Sequence, residues 1–162
     1  MRGLIITLPL LLFSFPLHAD DADVEQVVVY KAKRLMELQF QGKAVRTYRI
    51  SLGDNPSGHK VREGDERTPE GSYVIDYRNG NSGYHRSLHI SYPNQQDREN
   101  AKRLNVDPGG LIMIHGLPNG YSWAKRLFKG RDWTNGCIAV TDEEIDEIWR
   151  LVKDGTPITI NP

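Results

Sequence analysis

Three short β-prone runs, residues 27–30, 35–40 and 44–52, follow one another with only Lys31-Ala32-Lys33-Arg34 and Gln41-Gly42-Lys43 between them. In the middle run Leu35, Glu37 and Gln39 alternate with Met36, Leu38 and Phe40, the period-two signature of a half-buried strand. Runs this short and this close together read as an antiparallel meander. Gly53-Asp54-Asn55-Pro56-Ser57-Gly58 then breaks the pattern, and residues 59–67 are polar loop. In Thr68-Pro69-Glu70-Gly71 the proline presets one backbone angle and the glycine supplies a permissive one, so a turn leads into a strand over 72–77.

Residues 78–110 are polar and irregular, with 87–92 reading as a strand and 95–104 as a helix. A long loop-rich section in a compact domain often carries function, and this one is placed to cover a site. Residues 111–114 form an apolar run between Gly109-Gly110 and Gly116, the pattern of a buried strand whose end delivers His115 to the surface. Residues 121–128 suggest one or two helical turns, and 137–140 is again strand-like. The clearest helix opens at Thr141-Asp142-Glu143-Glu144. There Thr141 caps, Glu144 closes the capping box, and Ile145, Ile148, Trp149 and Val152 make one apolar stripe. Gly155 is the expected stop, and 158–160 a closing strand.

The first stretch differs in kind. Arg2 precedes an apolar run over 4–17, interrupted by Pro9 and Pro16, and Leu17-His18-Ala19 leads into Asp20-Asp21-Ala22-Asp23. This reads as a secretory signal peptide over residues 1–19, with a retained anchor as the alternative; the apolar core falls short of the roughly 20 residues of a spanning helix. The mature chain, residues 24–162, is then a single domain of ordinary size with no transmembrane helix. Its periplasmic destination gives meaning to a count of one cysteine. An exported chain with a lone thiol cannot form an internal disulfide, and a thiol left unpaired in an oxidising compartment needs a use or full burial. The 21 basic and 21 acidic side chains balance, so nothing marks a nucleic-acid partner.

Cys137 lies in Thr134-Asn135-Gly136-Cys137-Ile138, 22 positions after His115 in Ile114-His115-Gly116. This pattern resembles the catalytic domain of the L,D-transpeptidases, in which a strand-end His-Gly precedes a Ser/Thr-x-Gly-Cys element holding the nucleophile. The resemblance extends to the opening strands over 27–53 and to Gly64-Asp65-Glu66-Arg67-Thr68-Pro69-Glu70-Gly71. Leu88-His89-Ile90-Ser91-Tyr92-Pro93-Asn94 and Cys137-Ile138-Ala139-Val140 look more like the YafK-like periplasmic branch. It implies a mainly β fold, a β-sandwich or closed mixed sheet with a packed C-terminal helix. It also implies cysteine-dependent acyl transfer on peptidoglycan stem peptides, serving cell-wall crosslinking or attachment of a lipoprotein, with no metal or organic cofactor.

The chemistry explains the residue types. A free thiol, with its pKa near 8.5, needs a nearby imidazolium or backbone dipoles to ionise at neutral pH, and His115 is positioned in sequence to supply that charge. The tetrahedral oxyanion needs fixed donors, for which the N–H groups of Asn135, Gly136 and Cys137 are candidates. The family usually carries an arginine two residues after the cysteine and often a histidine two before it; here stand Ala139 and Asn135. Substrate contacts are therefore expected from His89, Tyr92, Gly116, Trp133 and Arg131. Three other readings stay open: the same site with water as acceptor, a catalytically silent cell-wall binding module, and a zinc hydrolase using His85, His89 and His115. The zinc reading lacks the helical glutamate motif of zinc peptidases.

Overall fold

The computed structural model describes residues 24–162 of the 162-residue chain. The expected signal peptide, residues 1–19, lies outside the described residues. Among the described residues, no helix is long and apolar enough to cross a membrane.

Eight strands form one mixed sheet. β1 (Gln26–Tyr30), β2 (Leu35–Phe40) and β3 (Lys43–Arg49) are the expected antiparallel meander, with Val27 opposite Leu38 and Met36 opposite Tyr48. Met36 and Leu38 are fully buried while Glu37 between them is not, so the alternation in β2 turns one face to the core. β4 (Gly71–Ser82), β5 (His85–Ile90), β6 (Met113–His115), β7 (Ile138–Ala139) and β8 (Pro157–Asn161) complete the sheet in the order β3-β2-β1-β8-β4-β5-β6-β7. The pairs β1–β8 and β6–β7 are parallel; the others are antiparallel.

The two edges of the sheet meet. Just beyond β3, Ser51 bridges Ala139 of β7 through paired backbone hydrogen bonds of 2.9 Å, so the sheet curls until its ends close. Ile50, Leu52, Ile75, Leu88, Ile114, Ile138, Ile158 and Ile160 fill the interior.

α1 (Gln95–Leu104) has the bounds expected from sequence, with Asn94 and Asp97 forming a capping box. Residues 122–124 make a 3-10 turn running into α2 (Lys125–Phe128). α3 (Asp142–Leu151) starts from the Thr141–Glu144 capping box and buries Ile145 and Ile148 against β5 and β6; Trp149 is half-buried against the same cluster.

Three expectations need correction. β4 extends to Ser82, five residues past the expected end, because Tyr77, Arg78 and Asn79 pair through the backbone with β5 while Tyr77 and Arg78 are exposed and Asn79 lines the cleft, leaving no apolar pattern to read. β6 begins at Met113: Leu111 sits at φ 54° and is 69% exposed. α3 ends at Leu151 and not at Gly155, since Val152 turns into extended backbone and is fully buried; Gly155 belongs to the turn into β8.

Candidate active site

The parallel β6–β7 pair builds the site. Ile114 stands opposite Ile138 and His115 opposite Ala139, so Met113 is opposite Cys137. Side chains two apart along a strand share a face. Cys137 and His115 are therefore diagonal neighbours on one face, and both line a cleft of about 730 Å³.

Thr134 shapes the cysteine turn. Its hydroxyl donates to the Cys137 carbonyl at 2.7 Å and accepts the Gly136 N–H at 3.2 Å. Gly136 has φ +112°, and a Cβ there would lie 2.5 Å from the Arg67 carbonyl; a Cβ on Gly53 would lie 1.9 Å from the Glu66 carbonyl. The backbone of residues 66–67 thus rests directly on the cysteine turn, which only glycine permits. Asp132 holds the approach to this turn through a bidentate pair with Arg34 and by accepting the Leu52 N–H.

His115 is buried, 4% exposed, between Tyr84 at a ring separation of 4.5 Å and the edge of Trp133 at 5.8 Å. Its Nδ1 lies 2.7 Å from the Gly116 carbonyl. A carbonyl only accepts, so Nδ1 carries the proton and Nε2 is left with its lone pair. Burial pushes the imidazole pKa down to about 4, and burial raises that of the Cys137 thiol. The thiol accepts the Met113 N–H at 3.4 Å and donates toward the Leu111 carbonyl at 3.5 Å. The expected imidazolium is thus corrected: at neutral pH the resting pair is neutral, because neither charge is solvated.

Other residues singled out from sequence separate. Trp133 and Asn135 line the cleft. Gly136 turns its N–H inward to Thr134, away from the role of oxyanion donor. Gly116 is buried against Asp142 and Ile145 and uses its carbonyl to orient His115. Tyr92 is 2% exposed, its hydroxyl spent on the Pro108 carbonyl, and it does not reach the cleft. His89 pairs with Asp76 at 2.6 Å and stacks on Tyr77; it and the exposed Arg131 lie outside the cleft lining. Both were expected there in place of the family's usual arginine and histidine, and their strand and loop direct them elsewhere. His85 pairs with Asp146, so the three histidines of the zinc reading go to separate partners, and among the described residues no cluster suited to a metal forms.

Sequence reading missed Lys60, Glu63, Glu66, Asn79, Tyr84, Ser87 and Leu111, which also line the cleft. The Gly64 to Gly71 motif was the available signal: its neighbours reach the site because its backbone packs on Gly136.

A family model for the L,D-transpeptidase catalytic domain (YkuD) matches residues 25–160. The chain belongs to the L,D-transpeptidase catalytic domain family. Within that family it is 29% identical over 134 residues to YafK of Escherichia coli K12, named provisionally as an L,D-transpeptidase; the match covers 78% of this chain and 46% of YafK. Among solved structures it is similar to the helical cell shape determining protein Pgp2 of Campylobacter jejuni. The TM-score there is 0.65 at 27% identity, covering 86% of this chain and 48% of Pgp2. An L,D-transpeptidase from Mycobacterium smegmatis shares the fold, with a TM-score of 0.57 at 14% identity over 86% of this chain and 59% of that one. The L,D-transpeptidase domain described here spans about half the length of YafK and of Pgp2. Membership supports an enzyme of the L,D-transpeptidase kind.

Proposed function

We propose that this chain is an exported, periplasmic enzyme that carries out cysteine-dependent acyl transfer on peptidoglycan stem peptides, with residues 1–19 as its leader and residues 24–162 as its catalytic domain. The observation that carries the reading is the tie between His115 Nδ1 and the Gly116 carbonyl, which leaves Nε2 free as a base on the cleft face shared with Cys137.

A neutral pair works by concerted general-base attack. The Cys137 thiol proton passes to His115 Nε2 as Sγ bonds to the carbonyl carbon of a diaminopimelate residue. The carbonyl oxygen takes up negative charge, met by the N–H groups of Asn135 and Cys137, each such donor being worth about 3 kcal/mol of barrier. His115 returns the proton to the leaving amine as the C–N bond breaks, and a thioester remains. An amine from another stem or from a lipoprotein lysine then attacks, His115 removes its proton, and a new amide forms while the thiol is restored. Water at the same step gives hydrolysis. Tyr84 and Trp133 flank the imidazole and limit its access to bulk solvent.

The test is incubation of the purified protein with defined tetrapeptide muropeptides, with and without an amine acceptor, read by mass spectrometry. A mass shift on Cys137 equal to the acyl group, and loss of product in Cys137→Ala, is the expected result. Product formation that survives Cys137→Ala would sink the assignment. A new amide or a free acid in the digest identifies the acceptor.

A further inference from the structure

The peptide group between Gly116 and Leu117 is held at both ends. Its carbonyl lies 2.7 Å from His115 Nδ1, and its N–H donates to Asp142 Oδ1 at 2.8 Å. The C=O and N–H of one trans peptide point in opposite directions from a single rigid plane, so His115 and Asp142 meet across it. The other Asp142 oxygen accepts the Ser122 hydroxyl, and the carboxylate is thus spent on the loop that follows His115.

Position 116 has room for this arrangement only without a side chain. A Cβ there would stand 2.7 Å from Asp142 Oδ1 and 3.1 Å from both His85 Cβ and Ile145 Cγ2. On its other side Gly116 gives its N–H to the carbonyls of Tyr84 and Arg86 at 3.1 and 3.2 Å. Asp142 is the first residue of α3, where any carboxylate gains from the helix macrodipole. Glu143 and Glu144 share that turn, yet they pair with Lys125 and Lys129. The macrodipole accounts for a charge at 142 but not for its aim at the Leu117 N–H.

That aim matters to the imidazole. Were the 116–117 peptide to turn over, Nδ1 would lose its acceptor and the ring proton would be free to settle on Nε2, the nitrogen that must take the thiol proton. In serine proteases a histidine held in the wrong tautomer costs as much as about ten-thousandfold in kcat.

We infer that Asp142 is a positioning residue for His115: by holding the Leu117 N–H it keeps the Gly116 carbonyl on Nδ1 and the Nε2 lone pair free for the thiol proton. The inference rests on the acyl-transfer reading, in which His115 is the base. Asp142 takes no proton. As Sγ bonds to the carbonyl carbon, its proton passes to Nε2 and the Nδ1 proton stays in place. The positive ring is then met by a carbonyl whose own peptide is polarised by a carboxylate.

The experiment reads the His115 tautomer by nitrogen NMR at neutral pH, the rate of alkylation by iodoacetamide, and kcat and KM on a tetrapeptide muropeptide. Cys137 is the single cysteine, so alkylation reports on it alone. Wild-type His115 is expected to carry its proton on Nδ1. In Asp142→Ala the proton moves in part to Nε2, and kcat and the alkylation rate fall by about 10- to 100-fold, the range of one hydrogen bond to a charged group, with KM unchanged. Asp142→Asn offers a neutral acceptor and falls between the two in all three readouts. Glu143→Gln, which removes a neighbouring carboxylate from the same turn, keeps the wild-type tautomer. A residue that only started α3 would lower the melting temperature and leave tautomer and alkylation unmoved. That result in folded Asp142→Ala, or a wild-type proton on Nε2, would overturn the assignment. If Asp142→Ala does not fold, Asp142→Asn decides, and values equal to wild type would overturn it. Tautomer and alkylation need no peptidoglycan, so a lack of muropeptide turnover would overturn acyl transfer while these two still judge Asp142.

Discussion

The pair at the centre of this site works through burial rather than preformed charge. His115 has an unfolded pKa near 6.5 and a folded one of about 4, so between those values the unfolded chain binds a proton that the folded chain refuses. Stability is therefore fully present above pH 6.5 and declines as pH falls to 4, by up to about 3 kcal/mol at 1.36 kcal/mol per unit. Below 4 both states are protonated and this contribution stops changing. Thermal melts across pH 6.5 to 4 are expected to fall steeply for the wild type and to flatten in His115→Gln. Parallel curves for the two proteins would rule this out. The same residue carries a lesson about legibility. His115 and Cys137 stand out from their motifs, but the neutral state of the imidazole does not, because it depends on Tyr84, Trp133 and the Gly116 carbonyl closing round it.

At the scale of elements, the segment from Gly58 to Glu70 has little regular structure, yet it supports the cysteine turn. Its anchor is Lys31, the residue directly after β1, buried to 2% exposure. All three ammonium protons are spent: on the Gly58 carbonyl at 2.6 Å, the Thr68 carbonyl at 2.9 Å and Glu70 at 2.8 Å. Lys31→Met would leave Glu70 and two carbonyls without their donor. The expected cost is about 3 kcal/mol, the lower end for breaking a buried pair, and a melting temperature lower by about 10 °C. Amide exchange should quicken across 58–70 first. A melting temperature within about a degree of wild type would contradict this. Lys31 was read from sequence only as part of the link between two strands, since an ion pair across 39 positions leaves no local trace. α3, whose capping box links Thr141 to Glu144 three positions on, was legible to the residue at its start; α1 has the expected bounds, but its Asn94–Asp97 box was not read from sequence.

For the whole molecule the decisive element is β8. It lies between β1 and β4, parallel to one and antiparallel to the other, and so joins the meander to the strands that carry the site. Gln26 bonds Thr159 across 133 positions, a long loop to close before the contact forms, which places this topology among the slower folders. Removing residues 157–162 would expose the inner edges of β1 and β4 at once and strip Ile158 and Ile160 from the core. That truncated chain is expected to lose its cooperative thermal transition in calorimetry. A single sharp transition with an unchanged enthalpy would disprove it.

What the amino-acid sequence determined alone is what neighbours along the chain control. This covers the meander, through period-two alternation and short turns; the C-terminal helix, through Thr141 and Glu144 three positions apart; and the candidate nucleophile, through Thr134-Asn135-Gly136-Cys137. Tertiary structure decided the rest. It brought Lys60 into the wall of the cleft and the backbone of 66–67 against Gly53 and Gly136, sent Tyr92 into the core and His89 to Asp76, set β8 between β1 and β4, and closed the sheet through Ser51 and Ala139. The division follows from the range of the forces. Propensity and capping act within a turn or two, whereas strand pairing, desolvation and the satisfaction of buried charges depend on partners that only the completed fold supplies.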